Sequence, residues 1–66
     1  MNKTISKKPI SKSRYRVHYF VDVDGTWHEK NAPFLADNKL DAESQLRETM
    51  KLFPETVYTI NYTEAL

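Results

Sequence analysis

The chain has 66 residues, no cysteine and a formal charge of +1. That length allows one small domain, and the missing cysteines exclude disulfide staples and thiolate metal sites as sources of stability. The near-neutral total hides a split. Lys3, Lys7, Lys8, Lys12, Arg14 and Arg16 precede the first acid, Asp22, and residues 22–66 then carry nine acids against four bases. The N-terminal sixteen residues therefore bear about +6 and the remainder about −5, the asymmetry of a basic arm on an acidic body.

Four Tyr, three Phe and one Trp supply much of the apolar surface in a chain that is 39% hydrophobic. Aromatic rings bury large areas at a low residue count, which suits a body of only about fifty residues. A core of this size leaves little room for an enclosed substrate pocket. No apolar run approaches the roughly twenty residues of a membrane span, and no apolar stretch follows the basic start as it would in a signal peptide. The expectation is a soluble protein of the bacterial cytoplasm, without a cofactor and without a membrane partner.

Residues 1–13 have no hydrophobic period, carry Pro9 and are rich in Ser and Lys. They are expected to form a flexible basic tail. Residues 14–66 are expected to form the single domain. Over residues 14–22, Tyr15, Val17, Tyr19 and Val21 alternate with Arg14, Arg16, His18 and Asp22, the period-two pattern of a strand with one buried face; Phe20 alone departs from it. Asp24 and Gly25 then mark a hairpin turn, and Gly25 is the only glycine in the chain. A second, less regular strand spans about residues 26–35. Pro33 cannot donate to a ladder, so this strand is expected at a sheet edge, or bulged or interrupted near residues 31–33.

Between residues 36 and 53 the period changes. Ala42, Leu46, Met50 and Phe53 fall on one side of a helix. Asn38 is a candidate N-cap with Asp41 three residues on, and Pro54 is expected to stop the helix at Phe53. Residues 56–62 return to period two, with Tyr58, Ile60 and Tyr62 on one face and Val57, Thr59 and Asn61 on the other. The fold class is therefore α+β: a two-layer β-β-α-β unit with one helix packed on a three-stranded, mainly antiparallel sheet.

Catalytic constellations are missing. A single glycine cannot make a phosphate loop, and His28 with Glu29 lacks the second histidine of a zincin motif. Asp22 and Asp24 are expected to shape the turn rather than chelate a cation. His18 has no nucleophile placed beside it, so a solvent-facing or partner-facing role is expected. The reading is a non-enzyme, and the binding features are stronger. Arg14, Arg16 and His18 project from one strand face, continuous with Lys7, Lys8 and Lys12. This stripe either faces an anionic or acidic partner or is a solvated face that discourages aggregation. Trp27 is either a recognition anchor or part of the core.

Two family resemblances bear on function. Phe34, Leu35, Ala36 and Asp37, then Leu40, Asp41, Ala42 and Glu43, then Leu52, Phe53, Pro54 and Glu55, then Val57, Tyr58, Thr59 and Ile60 follow a pattern that resembles small lytic-phage inhibitors of the host RNA polymerase. That resemblance implies a β-β-α-β fold whose charged strand face plugs the polymerase DNA channel, with Arg14 and Arg16 on that face. The long basic tail is a departure from the family. The second set, Tyr15, Arg16 and Val17 with Asp24, Gly25, Phe34, Ala42 and Glu43, resembles the arm-binding N-terminal domain of phage integrases. It implies a sheet that enters the DNA major groove through Arg14, Arg16 and His18, although the strand at residues 56–62 is not part of that layout. The functional expectation is a small phage or mobile-element protein that binds and inhibits a host machine, RNA polymerase or a defence nuclease such as a CRISPR effector, by occlusion. The alternative is a DNA-binding accessory protein using sheet face and tail, which the acidic body disfavours.

Overall fold

A computed structural model describes residues 12–66. Strand β1 (Ser13–Val23) and strand β2 (Thr26–Ala36) are joined by a two-residue turn in which Asp24 and Gly25 both have positive φ, 53° and 86°. Positive φ at both central positions is the type I′ geometry, whose twist matches that of the flanking strands. Asp tolerates this conformation and Gly adopts it without steric cost, which is why this pair closes the hairpin.

Helix α1 (Lys39–Met50) follows, and β3 (Val57–Ala65) returns to the sheet. The sheet order is β2-β1-β3, and both pairings are antiparallel. The α+β, β-β-α-β architecture expected from the periodicities is the one observed. Of the alternatives that Pro33 left open, β2 takes the edge position and is neither bulged nor interrupted: its register with β1 runs unbroken from Ser13–Ala36 to Val23–Thr26. At an edge the missing N–H of proline faces away from the ladder, so the strand need not break. β1 extends one residue past its expected limits at each end, β2 ends one residue later than expected, and β3 starts one residue later and runs three residues further. Ser13 already belongs to β1, and Lys12 Nζ lies 3.4 Å from Asp37 Oδ1. The rest of the expected tail, residues 1–11, with Lys7 and Lys8, lies outside the described residues.

The core is built on the odd-numbered face of β1. Val17, Val21, Ala36, Ala42, Leu46 and Met50 are buried, with Tyr15, Tyr19, Phe34, Tyr58 and Ile60 packed around them. From α1 come Ala42, Leu46 and Met50, the expected stripe. The fourth residue of that stripe, Phe53, is instead 55% exposed. The helix ends at Met50, and a tighter turn follows in which the Leu52 and Phe53 amides donate to the Thr49 and Met50 carbonyls. This turn carries Phe53 off the helical face three residues before Pro54 could have forced a stop.

The helix start follows its caps. Asn38 Oδ1 accepts from the Asp41 amide at 2.8 Å, and Asp41 Oδ2 accepts from the Asp37 amide at 3.0 Å. The reciprocal bond thus reaches one residue before the N-cap rather than the cap itself, and still satisfies two amides at the helix entrance. A third link fastens the far strand: Thr63 Oγ1 donates to Glu43 Oε2 at 2.7 Å. Thr63 is the one buried polar residue among those described.

Twelve helical residues span about 18 Å, whereas the eleven-residue strands span about 36 Å. One helix therefore covers only part of one sheet face. The hairpin tip runs beyond it, and among the described residues no helix lies over the even-numbered face of β1.

A candidate recognition face on the uncovered sheet

Strand alternation puts Arg14, Arg16, His18, Phe20 and Asp22 on the face opposite the helix. The β1–β2 register adds Leu35, Pro33, Asn31, Glu29 and Trp27, each beside its β1 partner. From β3 come Glu64, Tyr62, Thr59 and Val57. The result is a three-strand platform that no other described residues cover.

Tyr62 belongs to this platform because of a register shift. His18 pairs with Tyr62, but the next β1 residue, Tyr19, pairs with Ile60, leaving Asn61 as an extra residue on β3. Such a bulge inverts the facing of everything beyond it. The expectation that Tyr58, Ile60 and Tyr62 share one face is therefore corrected. Tyr58 and Ile60 pack against the core, while Tyr62 lies on the uncovered side and stacks on His18 with ring centroids 4.2 Å apart and planes 10° from parallel.

The stack changes the character of His18. Its side chain is only 12% exposed, and neither ring nitrogen makes a hydrogen bond among the described residues. Nε2 lies 3.4 Å from Glu64 Oε2, an ion pair whenever the imidazole is protonated. Arg16 is also engaged. Its Nη1 donates to Asn31 Oδ1 at 2.8 Å, and its Nε is 3.9 Å from the same Glu64 oxygen. A cross-strand row Asn31–Arg16–Glu64–His18 thus spans all three strands. Pairs this exposed contribute little stability, but they orient the side chains and offset the local positive charge. Arg14 makes no salt bridge among the described residues and, with Lys12, holds the basic end of the platform.

The opposite end is apolar and acidic. Trp27 is 52% exposed, so it lies outside the core. With Phe20 and Thr59 it lines an open hollow of about 280 Å³. Asp22 sits between Trp27 and Val57 in the cross-strand pairing, and Glu29 sits beside Phe20. Asp22 Oδ1 is shielded from solvent and has no hydrogen-bond partner among the described residues.

Of the side chains singled out from the sequence, Arg14, Arg16, His18 and Trp27 come together on one face, and Lys12 lies at its margin. Phe20, Asn31, Tyr62 and Glu64 were not anticipated there. Phe20 was visible as the one break in the apolar alternation of β1. Tyr62 carried no such signal, because neither Gly nor Pro marks the bulge. Glu64 lies beyond the expected end of the last strand, which continues to Ala65.

Among the described residues, no three His, Asp or Glu side chains gather as they would around a metal ion, and no helix is long and apolar enough to cross a membrane. Neither a known protein family, nor a curated protein, nor a solved structure matches the chain.

Proposed function

We propose that this chain is a non-enzymatic recognition protein of phage or mobile-element type, which binds a large host nucleic-acid enzyme and inhibits it by occlusion. RNA polymerase is the target that the resemblance to phage inhibitors implies, and a defence nuclease such as a CRISPR effector offers basic channels and acidic patches of the same kind. One observation carries this reading: among the described residues nothing covers the sheet face opposite the helix, and it holds Trp27, Tyr62, Leu35 and Val57, each about half exposed. In a domain this short of apolar surface, leaving that much outside the core suits a face a partner covers. The mixed charge along it, Arg14 at one end and Asp22 with Glu29 at the other, matches a protein surface of mixed sign better than a uniformly anionic one.

The test is inhibition by titration. Purified chain is added to bacterial RNA polymerase transcribing a linear template, and separately to a CRISPR effector cleaving its target. Inhibition that saturates at one chain per enzyme, and is lost with Trp27→Ala, supports the reading. Full activity of both enzymes with excess chain would sink it.

A second reading, a DNA-binding accessory protein, draws on Arg14 and Arg16 sharing a face with exposed aromatic rings. It predicts affinity for random duplex that falls steeply as salt rises, because lysine and arginine contacts release counterions. No retardation of a 30-base-pair duplex at low salt would dismiss it.

A further inference from the structure

Taken row by row, the uncovered face has apolar corners and charges of opposite sign at its two ends. At one end Leu35 and Leu66 flank Arg14, the Leu66 amide donating to the Arg14 carbonyl at 3.0 Å. At the other, Trp27 and Val57 flank Asp22. All four flanking side chains are about half exposed. Arg16 stands one step in from the first end, and Phe20 with the exposed Glu29 one step in from the second. His18, Asn31 and Tyr62 form the middle row. Neither Arg14 nor Glu29 forms a salt bridge among the described residues.

Such a face is complementary to itself under one two-fold rotation and not under the other. An axis along the strands would lay each row over its own copy, setting Arg14 against Arg14 and Asp22 against Asp22. An axis across the strands, through the His18 row, lays the basic end of one copy over the acidic end of the other. We propose that the uncovered face pairs with a second copy of this chain about this second axis. The leucine end of each copy then covers the tryptophan end of the other, and Arg14 and Arg16 come over the end that carries Glu29 and Asp22. The two sheets form the middle of a sandwich with a helix on each outer side, the aligned sheet packing of layered domains. An interface of this kind is isologous, so every contact occurs twice. A sheet of three eleven-residue strands is about 36 Å by 14 Å, which places about 500 Å² from each copy in the contact and about 1,000 Å² in the pair. That area is at the lower limit for a specific interface, so association should be half complete in the range of about 10–100 μM.

The pairing goes beyond the recognition of a host enzyme but uses the same face, so the two occupants exclude each other. Its test needs no enzyme, and either can fail alone. Sedimentation equilibrium of the full chain from about 1 μM to about 1 mM should show the mass climbing from 7.8 kDa towards double that value. Emission of Trp27, the only tryptophan, should move to shorter wavelength over the same range. Nuclear Overhauser contacts fix the axis. Leu35 and Trp27 stand at opposite ends of β2, about 26 Å apart, so a cross-peak between the indole and the methyls of Leu35 or Leu66 arises only between copies. Arg14→Glu and Glu29→Arg should each weaken association about tenfold, since each sets like charges together twice. An equimolar mixture of the two variants should associate as tightly as the parent chain, a recovery that an unfolded variant could not give. A chain that stays monomeric throughout would overturn the proposal. So would a dimer without the leucine–tryptophan cross-peaks, as pairing through the open edge of β2 would give, or a mixture no tighter than its components. Trp27 emission that moves on adding RNA polymerase, but not on concentrating the chain, would assign the face to the host enzyme alone and overturn it as well.

Discussion

Leu46→Ala probes the contact on which the two-layer arrangement depends. Leu46 is 1% exposed and, with Val17, is one of the largest fully buried side chains. Its methyl groups sit among Val17, Val21, Ala42 and Met50, where α1 meets the sheet. Truncating a buried leucine to alanine costs about 2–5 kcal/mol, the spread reflecting how far the site can collapse. Here the helix has solvent behind it and can settle toward the sheet, which favours the lower half of that range, about 3 kcal/mol. A domain of about 55 residues has a total stability of roughly 3–8 kcal/mol. One substitution should therefore remove between a third and all of it.

Urea unfolding followed by circular dichroism is the assay, because Trp27 is half exposed in the folded chain and reports weakly on packing. With a slope of about 1 kcal/mol per molar urea, the midpoint should fall by about 3 M, or the variant should be unfolded at the outset. Leu40→Ala is the control, since Leu40 is 74% exposed and the change should cost under about 0.5 kcal/mol. If Leu46→Ala cost no more than Leu40→Ala, the helix would not be seated on the sheet through this residue, and the assignment of the core would be wrong.

Three further changes test how the elements are joined. Thr63→Val keeps the shape but leaves Glu43 Oε2 without its 2.7 Å donor; because Glu43 keeps some contact with water, the cost should be about 1–2 kcal/mol in urea unfolding, and an unchanged midpoint would show that the bond contributes nothing. Asn38→Ala removes the oxygen that accepts from the Asp41 amide and should cost about 1 kcal/mol, with thermal melting as the check and recovery in Asn38→Ser as its confirmation. Gly25→Ala places a Cβ where no atom lies within 4 Å, so only the positive φ of 86° opposes it; a loss of about 1 kcal/mol is expected, and a loss of several would mean that the turn is packed against something.

What the chain order alone determined was the sequence of elements and most of the core. Asp24 and Gly25 announce a hairpin by their tolerance of positive φ, Tyr15 to Val21 alternate so regularly that their buried face is fixed locally, and the four-residue spacing of Ala42, Leu46 and Met50 can pack only as one side of a helix. Pro33 likewise narrows β2 to an edge, or to a bulged or interrupted strand, before any partner is known. These are properties of a residue and its near neighbours. Tertiary structure decided the rest. That β3 joins β1 rather than β2, and so makes β1 central, is a long-range choice with no local mark. The extra residue at Asn61 turns Tyr62 away from the core and onto His18, and only pairing with β1 reveals it, because a bulge is a mismatch between two strands rather than a property of one. The continuation of β3 through Glu64 then converts a row of strand cations into the Asn31–Arg16–Glu64–His18 network. The opening asymmetry of charge survives in the fold in altered form. Part of the basic end is offset where it enters the sheet, by Glu64 beside Arg16 and His18, and strand pairing sets Asp22 between a tryptophan and a valine at the other end of the same face.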